Sequence, residues 1–164
     1  MKVPDIHLAV IRHVGPYEQV PVIQAAGDNP WQKLAAFVLN RNHARPPLVH
    51  FGIPLDAPGT TPDDRLRYDM AIQIDRPFGA RRSDAPVFHS LIAAGQYAVY
   101  SHAGTYAELA NAWPRLFQIV MGWLDVQIRP DPIFECLIDI RASGLHDHTW
   151  TDLYLPIERK PATT

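Results

Sequence analysis

Residues 12–20 (RHVGPYEQV) and residues 101–109 (SHAGTYAEL) contain the same phrase: His, any residue, Gly, any residue, Tyr. His13 and His102 stand 89 positions apart, and each phrase ends a segment in which aliphatic and polar residues alternate. Such alternation is typical of a half-buried strand. We interpret the phrase as structural, because glycine allows a tight turn after the strand and the tyrosine can pack at the start of a helix. A catalytic role for either histidine is the less favoured alternative.

A helical pattern follows each phrase. In the second copy Thr105 and Glu108 have the spacing of a capping box, and apolar residues then recur every three or four positions as far as Leu124. Pro114 interrupts this pattern and predicts a kink, or a fresh helix that starts there. In the first copy the predicted helix begins at Pro30.

Two apolar strand patterns follow each helix, LVHFGIPL and RYDMAIQI in the first half, PIFECLIDI and WTDLYLPI in the second. Each half therefore reads strand, helix, strand, strand. We predict an α+β fold of one domain, residues 1–158, made of two βαββ repeats at about 5–76 and 88–158. The repeats are expected to be related by a pseudo-twofold axis, with a curved antiparallel sheet, helices on one face and a central ligand groove. Residues 159–164 are predicted to be a frayed tail.

Composition argues against several classes of protein. The 164 residues carry 15 basic and 17 acidic side chains, so the formal charge is −2 and no nucleic-acid footprint is expected. The single cysteine fits a reducing compartment, and no apolar run approaches the length of a membrane span. These observations predict a cytoplasmic protein without membrane or direct nucleic-acid binding. Cys136 is interpreted as a buried small hydrophobe.

No cofactor is predicted, because the sequence has neither a glycine-rich phosphate loop nor a G-x-S-x-G elbow. The stretch HDH at residues 146–148 has chelating side chains, but no third ligand lies at a spacing typical of metal sites. A metal site there is the less favoured alternative.

The two phrases, the stretch FECLID and the closing TDLYLPI together resemble the GyrI-like small-molecule-binding domain. This family includes the effector-binding domains of multidrug-sensing transcription regulators and the DNA gyrase inhibitory protein. The resemblance covers about residues 5–158. It implies the duplicated βαββ, SOUL-like fold and a central pocket for aromatic, often cationic compounds. It also implies a glutamate at the bottom of the pocket, matched here by Glu135, and a tyrosine in the last strand, matched by Tyr154.

The chain departs from the family pattern at Leu137, which stands where the family strand commonly has a tyrosine. We also expect no helix-turn-helix before the first strand. The chain is therefore not expected to be a complete one-component transcription regulator.

The orientation of Glu135 is left open by the sequence. Alternation places Glu135 and Leu137 on one face of the strand and Phe134 on the other, but either face could meet the helices. Glu135 could also be a solvated carboxylate, or could pair with Arg129 or Arg141. The resemblance favours a pocket residue. The predicted ligand contacts are Glu135, Tyr154, Leu137, Trp113, Phe51 and Tyr68, with Trp150 as a weaker candidate.

The two halves differ at the position after the strand phenylalanine. Gly52 follows Phe51 in the first half, whereas Glu135 follows Phe134 in the second. One half therefore carries a charge that the other lacks, and the predicted groove is asymmetric.

The favoured function is a small-molecule-binding protein that senses or sequesters aromatic or cationic compounds, with Glu135 as the anchor and a possible protein partner. The alternative is a hydrolase of electrophilic or strained-ring compounds on the same fold. Glu135 would then activate water and Tyr154 would assist the leaving group, although Leu137 removes one candidate acid. Direct inhibition of a protein partner is the least favoured reading.

Overall fold

The computed structural model describes residues 1–23, 25–139 and 149–161. They form two compact units, a first unit of Asp5–Ile92 and a second unit of Met1–Pro4 with Ala93–Thr164. The elements in chain order are β1 (Lys2–Val3), β2 (Ile6–Val14), α1 (Pro30–Asn40), β3 (His50–Pro54), β4 (Arg67–Ile74), β5 (Phe88–Ile92), β6 (Gly95–Gly104), α2 (Tyr106–Met121), β7 (Val126–Ile128), β8 (Phe134–Asp139) and β9 (Thr149–Arg159).

The first unit is an antiparallel sheet in the order β3-β4-β2-β5, with α1 on one face. The helix starts where predicted, because Pro30 is its first residue and the Asn29 side chain accepts a hydrogen bond from Trp31 N at 3.0 Å. Trp31, Leu34 and Val38 are its buried residues, and their spacing of three and four gives α1 one apolar side. The Trp31 ring meets the His50 ring edge-on at 5.8 Å. The face of β3 that carries His50 is therefore the face that α1 covers.

The second unit is an antiparallel sheet in the order β1-β6-β9-β8, and β7 also pairs with β9. The capping box of α2 forms as predicted: Thr105 Oγ1 accepts from Glu108 N at 3.2 Å and Glu108 Oε2 accepts from Thr105 N at 2.7 Å. Between α2 and the sheet lies a buried apolar cluster of Ala98, Leu109, Ala112, Leu116, Val120, Leu153, Leu155 and Ile157.

The fresh helix predicted to start at Pro114 does not form, and the alternative, a kink at this residue, stays a prediction. α2 is one continuous helix from Tyr106 to Met121, with Pro114 inside it. Pro114 is exposed, so its ring lies away from the apolar cluster. The packing of the neighbouring residues outweighs the lost backbone hydrogen bond.

The α+β class is confirmed, and each unit contains the predicted order of strand, helix, strand, strand. Three short strands, β1, β5 and β7, were not predicted. β5 pairs with β2, so the first unit extends to Ile92, and β9 continues to Arg159. The duplication of a common unit and its pseudo-twofold axis stay predictions.

Candidate functional site

Glu135 lies on the face of the second unit's sheet that α2 covers. In the antiparallel pairing of β8 with β9 it stands opposite Leu153, a member of the cluster beneath α2. Directly opposed residues of an antiparallel pair share a face. Glu135 is 5% exposed and Leu137, two residues on, is 6% exposed. The orientation that the sequence left open is therefore settled, with Glu135 and Leu137 pointing toward the helix.

The Glu135 carboxylate accepts a hydrogen bond from an indole. Trp113 Nε1, on α2, donates to Glu135 Oε1 at 3.1 Å. The Trp113 ring is half-buried and packs against the apolar cluster, with the Phe117 ring centroid 6.3 Å away. Burial of a carboxylate costs free energy unless the group is hydrogen-bonded. The bond from Trp113 therefore offsets part of the cost of burying Glu135.

The sequence offered two alternatives for Glu135, a solvated carboxylate and a carboxylate paired with an arginine. The small exposure of the side chain excludes a solvated carboxylate. Arg129 forms an ion pair with Asp131, and its guanidinium lies 5.2 Å from the centroid of the Tyr97 ring. Arg141 lies outside the described residues.

Tyr154 lies on the other face of the same sheet. It stands opposite Phe134, and the two rings stack with centroids 4.4 Å apart and planes 10° apart. Burial raises the pKa of the Tyr154 phenol, and the nearby Cys136 and Asp152 add to the rise. Tyr154 follows Leu153, the residue opposite Glu135, so Tyr154 and Glu135 point to opposite faces of the sheet; a ligand contact by Tyr154 stays a prediction.

The remaining predicted contacts are distributed over both units. Trp150, 48% exposed, is four residues before Tyr154 and lies on that face. Phe51 and Tyr68 are buried in the first unit. Tyr68 stands opposite Pro54 on the face that α1 covers, whereas Phe51 points to the other face. A ligand contact by any of these residues stays a prediction.

Other predicted features do not add to this site. Cys136 is partly buried, and burial raises its pKa to about 11, with a further contribution from Asp152, as expected of an unreactive thiol. Residues 146–148 lie outside the described residues, and no group of three possible metal ligands occurs within the described part of the chain. Neither described helix has the length and apolarity to cross a membrane.

Sequence reasoning missed two features of the second unit. It treated Trp113 as a wall, whereas its N–H is a partner of Glu135; the 22 positions between them give no local signal. It also missed two surface cavities. One of about 650 Å³ lies beside β7 and the end of β9, and one of about 230 Å³ lies between β6 and α2. Glu135 lines neither of these cavities.

Comparison with known proteins agrees with this arrangement. The model of the GyrI-like small molecule binding domain matches residues 1–158. YosT of Bacillus subtilis (strain 168), an SPbeta prophage-derived protein named as a candidate transcriptional regulator, is 24% identical over 159 residues, which are 96% of each chain. DNA gyrase inhibitor 1 of Dickeya dadantii (strain 3937) is 26% identical over 153 residues, which are 93% of each chain.

Three solved proteins share the fold. EcmrR in a complex with DNA has a TM-score of 0.71 at 16% identity; the match covers 98% of this chain and 56% of that one. SAV2435 bound to tetraphenylphosphonium has a TM-score of 0.53 at 14% identity, covering 96% and 92%. A hydrolase encoded by lin2189 from Listeria innocua has a TM-score of 0.59 at 12% identity, covering 96% and 90%.

The match of the family model over nearly the whole chain shows the family independently of the motifs, and the solved structures confirm the fold. The chain belongs to the GyrI-like small-molecule-binding domain family.

Proposed function

We propose that this protein binds an aromatic, cationic small molecule at Glu135, with the Trp113 indole as one wall of the site. The observation that carries the proposal is the carboxylate itself. It is buried in an apolar layer and is held by an indole N–H on the helix above it.

A cation suits this carboxylate for a physical reason. Removal of a carboxylate from water is expensive, and in the protein interior an opposite charge with good geometry repays part of that cost. An aromatic cation can also lie against the Trp113 ring, an interaction that contributes about 0.5–2 kcal/mol. Leu137, on the same face as Glu135, offers apolar surface to the body of the ligand.

Trp113 has a double role in this proposal. Its ring can contact the ligand, while its N–H already occupies Glu135 Oε1. A cationic ligand therefore has to share the carboxylate with the indole or displace it. This competition favours ligands that make aromatic contact as well as a charge pair, over simple ammonium ions.

The relatives support the choice of ligand class. SAV2435 has been solved with tetraphenylphosphonium, a cation surrounded by four phenyl rings. EcmrR forms a complex with DNA, and YosT is named as a candidate transcriptional regulator. We infer that this protein senses or sequesters its ligand in the cytoplasm. In the sensing role, a protein partner would respond to the ligand-bound state.

The test is a calorimetric titration with tetraphenylphosphonium on the full chain. We expect saturable binding that Glu135→Gln weakens at least tenfold, because the amide keeps the shape but loses the charge. Glu158→Gln is the matched control, since Glu158 is an exposed carboxylate in β9 that accepts from Gln127 Nε2. Equal affinity in the wild-type protein and Glu135→Gln would contradict the proposal.

A second candidate is hydrolysis of an electrophilic ring compound, which the likeness to the Listeria hydrolase favours. Glu135 would position a water molecule. Tyr154 does not serve as its proton donor, because it lies on the opposite face of the sheet; the N–H next to the carboxylate belongs to Trp113. Incubation with an electrophilic aromatic substrate separates the candidates: more than one product per protein molecule indicates an enzyme, and a stoichiometric complex indicates binding alone.

A further inference from the structure

The second unit has a polar cavity that the proposed cation site does not use. It lies between β6 and α2, has a volume of about 230 Å³, and is lined by Tyr100, His102, Ala103, Glu108, Asn111, Ala112 and Arg115. Drug-sized ligands occupy about 300–1,000 Å³, so this cavity suits a smaller molecule.

The His102 side chain brings an unused polar atom to this cavity. Its Nε2 is buried and has no hydrogen-bond partner among the described residues. The equivalent nitrogen of the first copy, His13 Nε2, lies 3.1 Å from the carbonyl oxygen of Pro16. A buried polar nitrogen without a partner is rare in folded proteins. It is therefore a candidate donor to a bound molecule.

Arg115 supplies a positive charge at the same cavity. It is exposed, and within the described ranges its guanidinium forms no ion pair and no hydrogen bond. Asn111 lies four residues before it, so both side chains lie on one side of α2. A guanidinium fork and a neighbouring amide match the paired oxygens of a carboxylate or a phosphate.

The acidic side chain of this cavity is already engaged at the start of the helix. Glu108 Oε2 accepts from Thr105 N at 2.7 Å and from Thr105 Oγ1 at 3.1 Å. Gly104 allows this approach: a Cβ there would lie 2.4 Å from Glu108 Oε2 and 3.0 Å from His102 Nε2. The glycine of the repeated phrase therefore leaves space for the two side chains that form one end of the cavity.

The cavity is separate from the Glu135 site. Trp113 lies two residues from both Asn111 and Arg115, and two residues correspond to about 200° around a helix. The indole that meets Glu135 and the side chains of Asn111 and Arg115 are thus on opposite sides of α2.

We infer that this cavity binds a small oxyanion, held by Arg115, Asn111 and the unpartnered His102 nitrogen. A neutral imidazole with its proton on Nε2 donates one hydrogen bond, and the Tyr100 hydroxyl is a further donor among the lining residues. This would be a second binding site, for an anionic ligand, and it does not depend on the cation site proposed above.

The experiment is an NMR titration of the full, ¹⁵N-labelled chain with inorganic phosphate and, in a second arm, with acetate. Chloride at equal ionic strength serves as the reference. We expect saturable shifts around Gly104, Asn111 and Arg115, and the tighter-binding probe identifies the oxyanion as a phosphate or a carboxylate. Arg115→Gln should weaken binding at least tenfold and His102→Gln by three- to tenfold.

Arg159→Gln is the matched control, because Arg159 is an exposed arginine at the other cavity; its affinity for both probes should equal that of the wild-type protein. Tetraphenylphosphonium binding should be unchanged in Arg115→Gln, which separates this inference from the proposed function. Shifts no larger than those with chloride, or equal affinity in the wild-type protein and Arg115→Gln, would overturn it.

Discussion

The two copies of the His-x-Gly-x-Tyr phrase have the same letters but different local structures. In the first copy Gly15 has φ of 135° and ends β2, and a short 3-10 turn at Tyr17–Gln19 follows; α1 begins only at Pro30. In the second copy Gly104 is still part of β6, and α2 begins at Tyr106. The first glycine is needed for its backbone angle, whereas the second is needed for the space beside it. The same motif can therefore need its glycine for two unrelated physical reasons.

The tryptophan that each helix carries shows a second contrast. Trp31 Nε1 donates to the carbonyl oxygen of Pro21 at 2.8 Å, so the first unit satisfies its indole with its own backbone. Trp113 Nε1 donates to the Glu135 carboxylate at 3.1 Å. A hydrogen bond to a neutral carbonyl in one unit thus corresponds to a hydrogen bond to a carboxylate in the other, and the carboxylate is the group proposed to bind the ligand.

The largest expected effect comes from placing a charge in the first unit. Gly52 is buried on the face that α1 covers and follows the strand phenylalanine as Glu135 does. Gly52→Glu would bury a carboxylate in a unit whose Trp31 indole N–H already donates to the carbonyl oxygen of Pro21. We expect a loss of about 3–5 kcal/mol in the free energy of unfolding, measured by urea denaturation.

Gly52→Gln controls for the size of the side chain in this experiment, because it is nearly isosteric with glutamate and uncharged. If the two variants lose equal stability, crowding rather than charge explains the effect, and the contrast with Glu135 loses its electrostatic basis.

The next effect separates the two indoles. Trp113→Phe removes a hydrogen bond to a charged group, which contributes about 1.5–3 kcal/mol. Trp31→Phe removes a bond to a neutral carbonyl, which contributes about 0.5–1.5 kcal/mol. The urea denaturation of both variants should show the larger loss for Trp113→Phe, and the reverse order would indicate that the Glu135 bond is weak in solution.

A smaller effect should separate the two glycines. Gly15→Ala forces an alanine to φ of 135°, a conformation that costs on the order of 1–3 kcal/mol. Gly104→Ala needs no such angle, but its Cβ displaces the Glu108 carboxylate from the capping box, at a cost of about 1 kcal/mol. Helical circular dichroism near the melting temperature distinguishes the two variants, because only Gly104→Ala should weaken α2 before global unfolding.

The sequence predicted the features that depend on local chemistry. Pro30 after Asn29 fixed the start of α1, and the pair Thr105 and Glu108 fixed the start of α2. The strand pattern left the face of Glu135 open; only the family resemblance favoured a pocket residue, and the structure shows the side chain buried.

The features that depend on strand register could not be predicted from the sequence. The sequence placed Tyr154 beside Glu135 because both belong to family motifs, but the pairing of β8 with β9 puts them on opposite faces. The short strands β5 and β7 have only five and three residues, too few to show a period. The unpartnered His102 nitrogen also required the structure, because the same histidine in the first copy has a partner.

The effects of pH are the smallest near neutrality, and they differ in direction between the units. Burial lowers the pKa of His50 below 6.5 in the first unit, so the unfolded chain binds that proton first and stability falls as the pH drops below 6.5. Burial raises the pKa of Cys136 from 9.0 to about 11 in the second unit. The unfolded chain loses that proton first, so stability falls as the pH rises from 9 to about 11.

Urea midpoints measured from pH 5 to 11 test this contrast. His50→Gln should flatten the acid side of the profile and leave the alkaline side unchanged, whereas Cys136→Ala should do the opposite. The raised pKa of Tyr154 adds to the alkaline side, so Tyr154→Phe together with Cys136→Ala should flatten it further than Cys136→Ala alone. An alkaline slope of unchanged size after both substitutions would contradict its assignment to Cys136 and Tyr154.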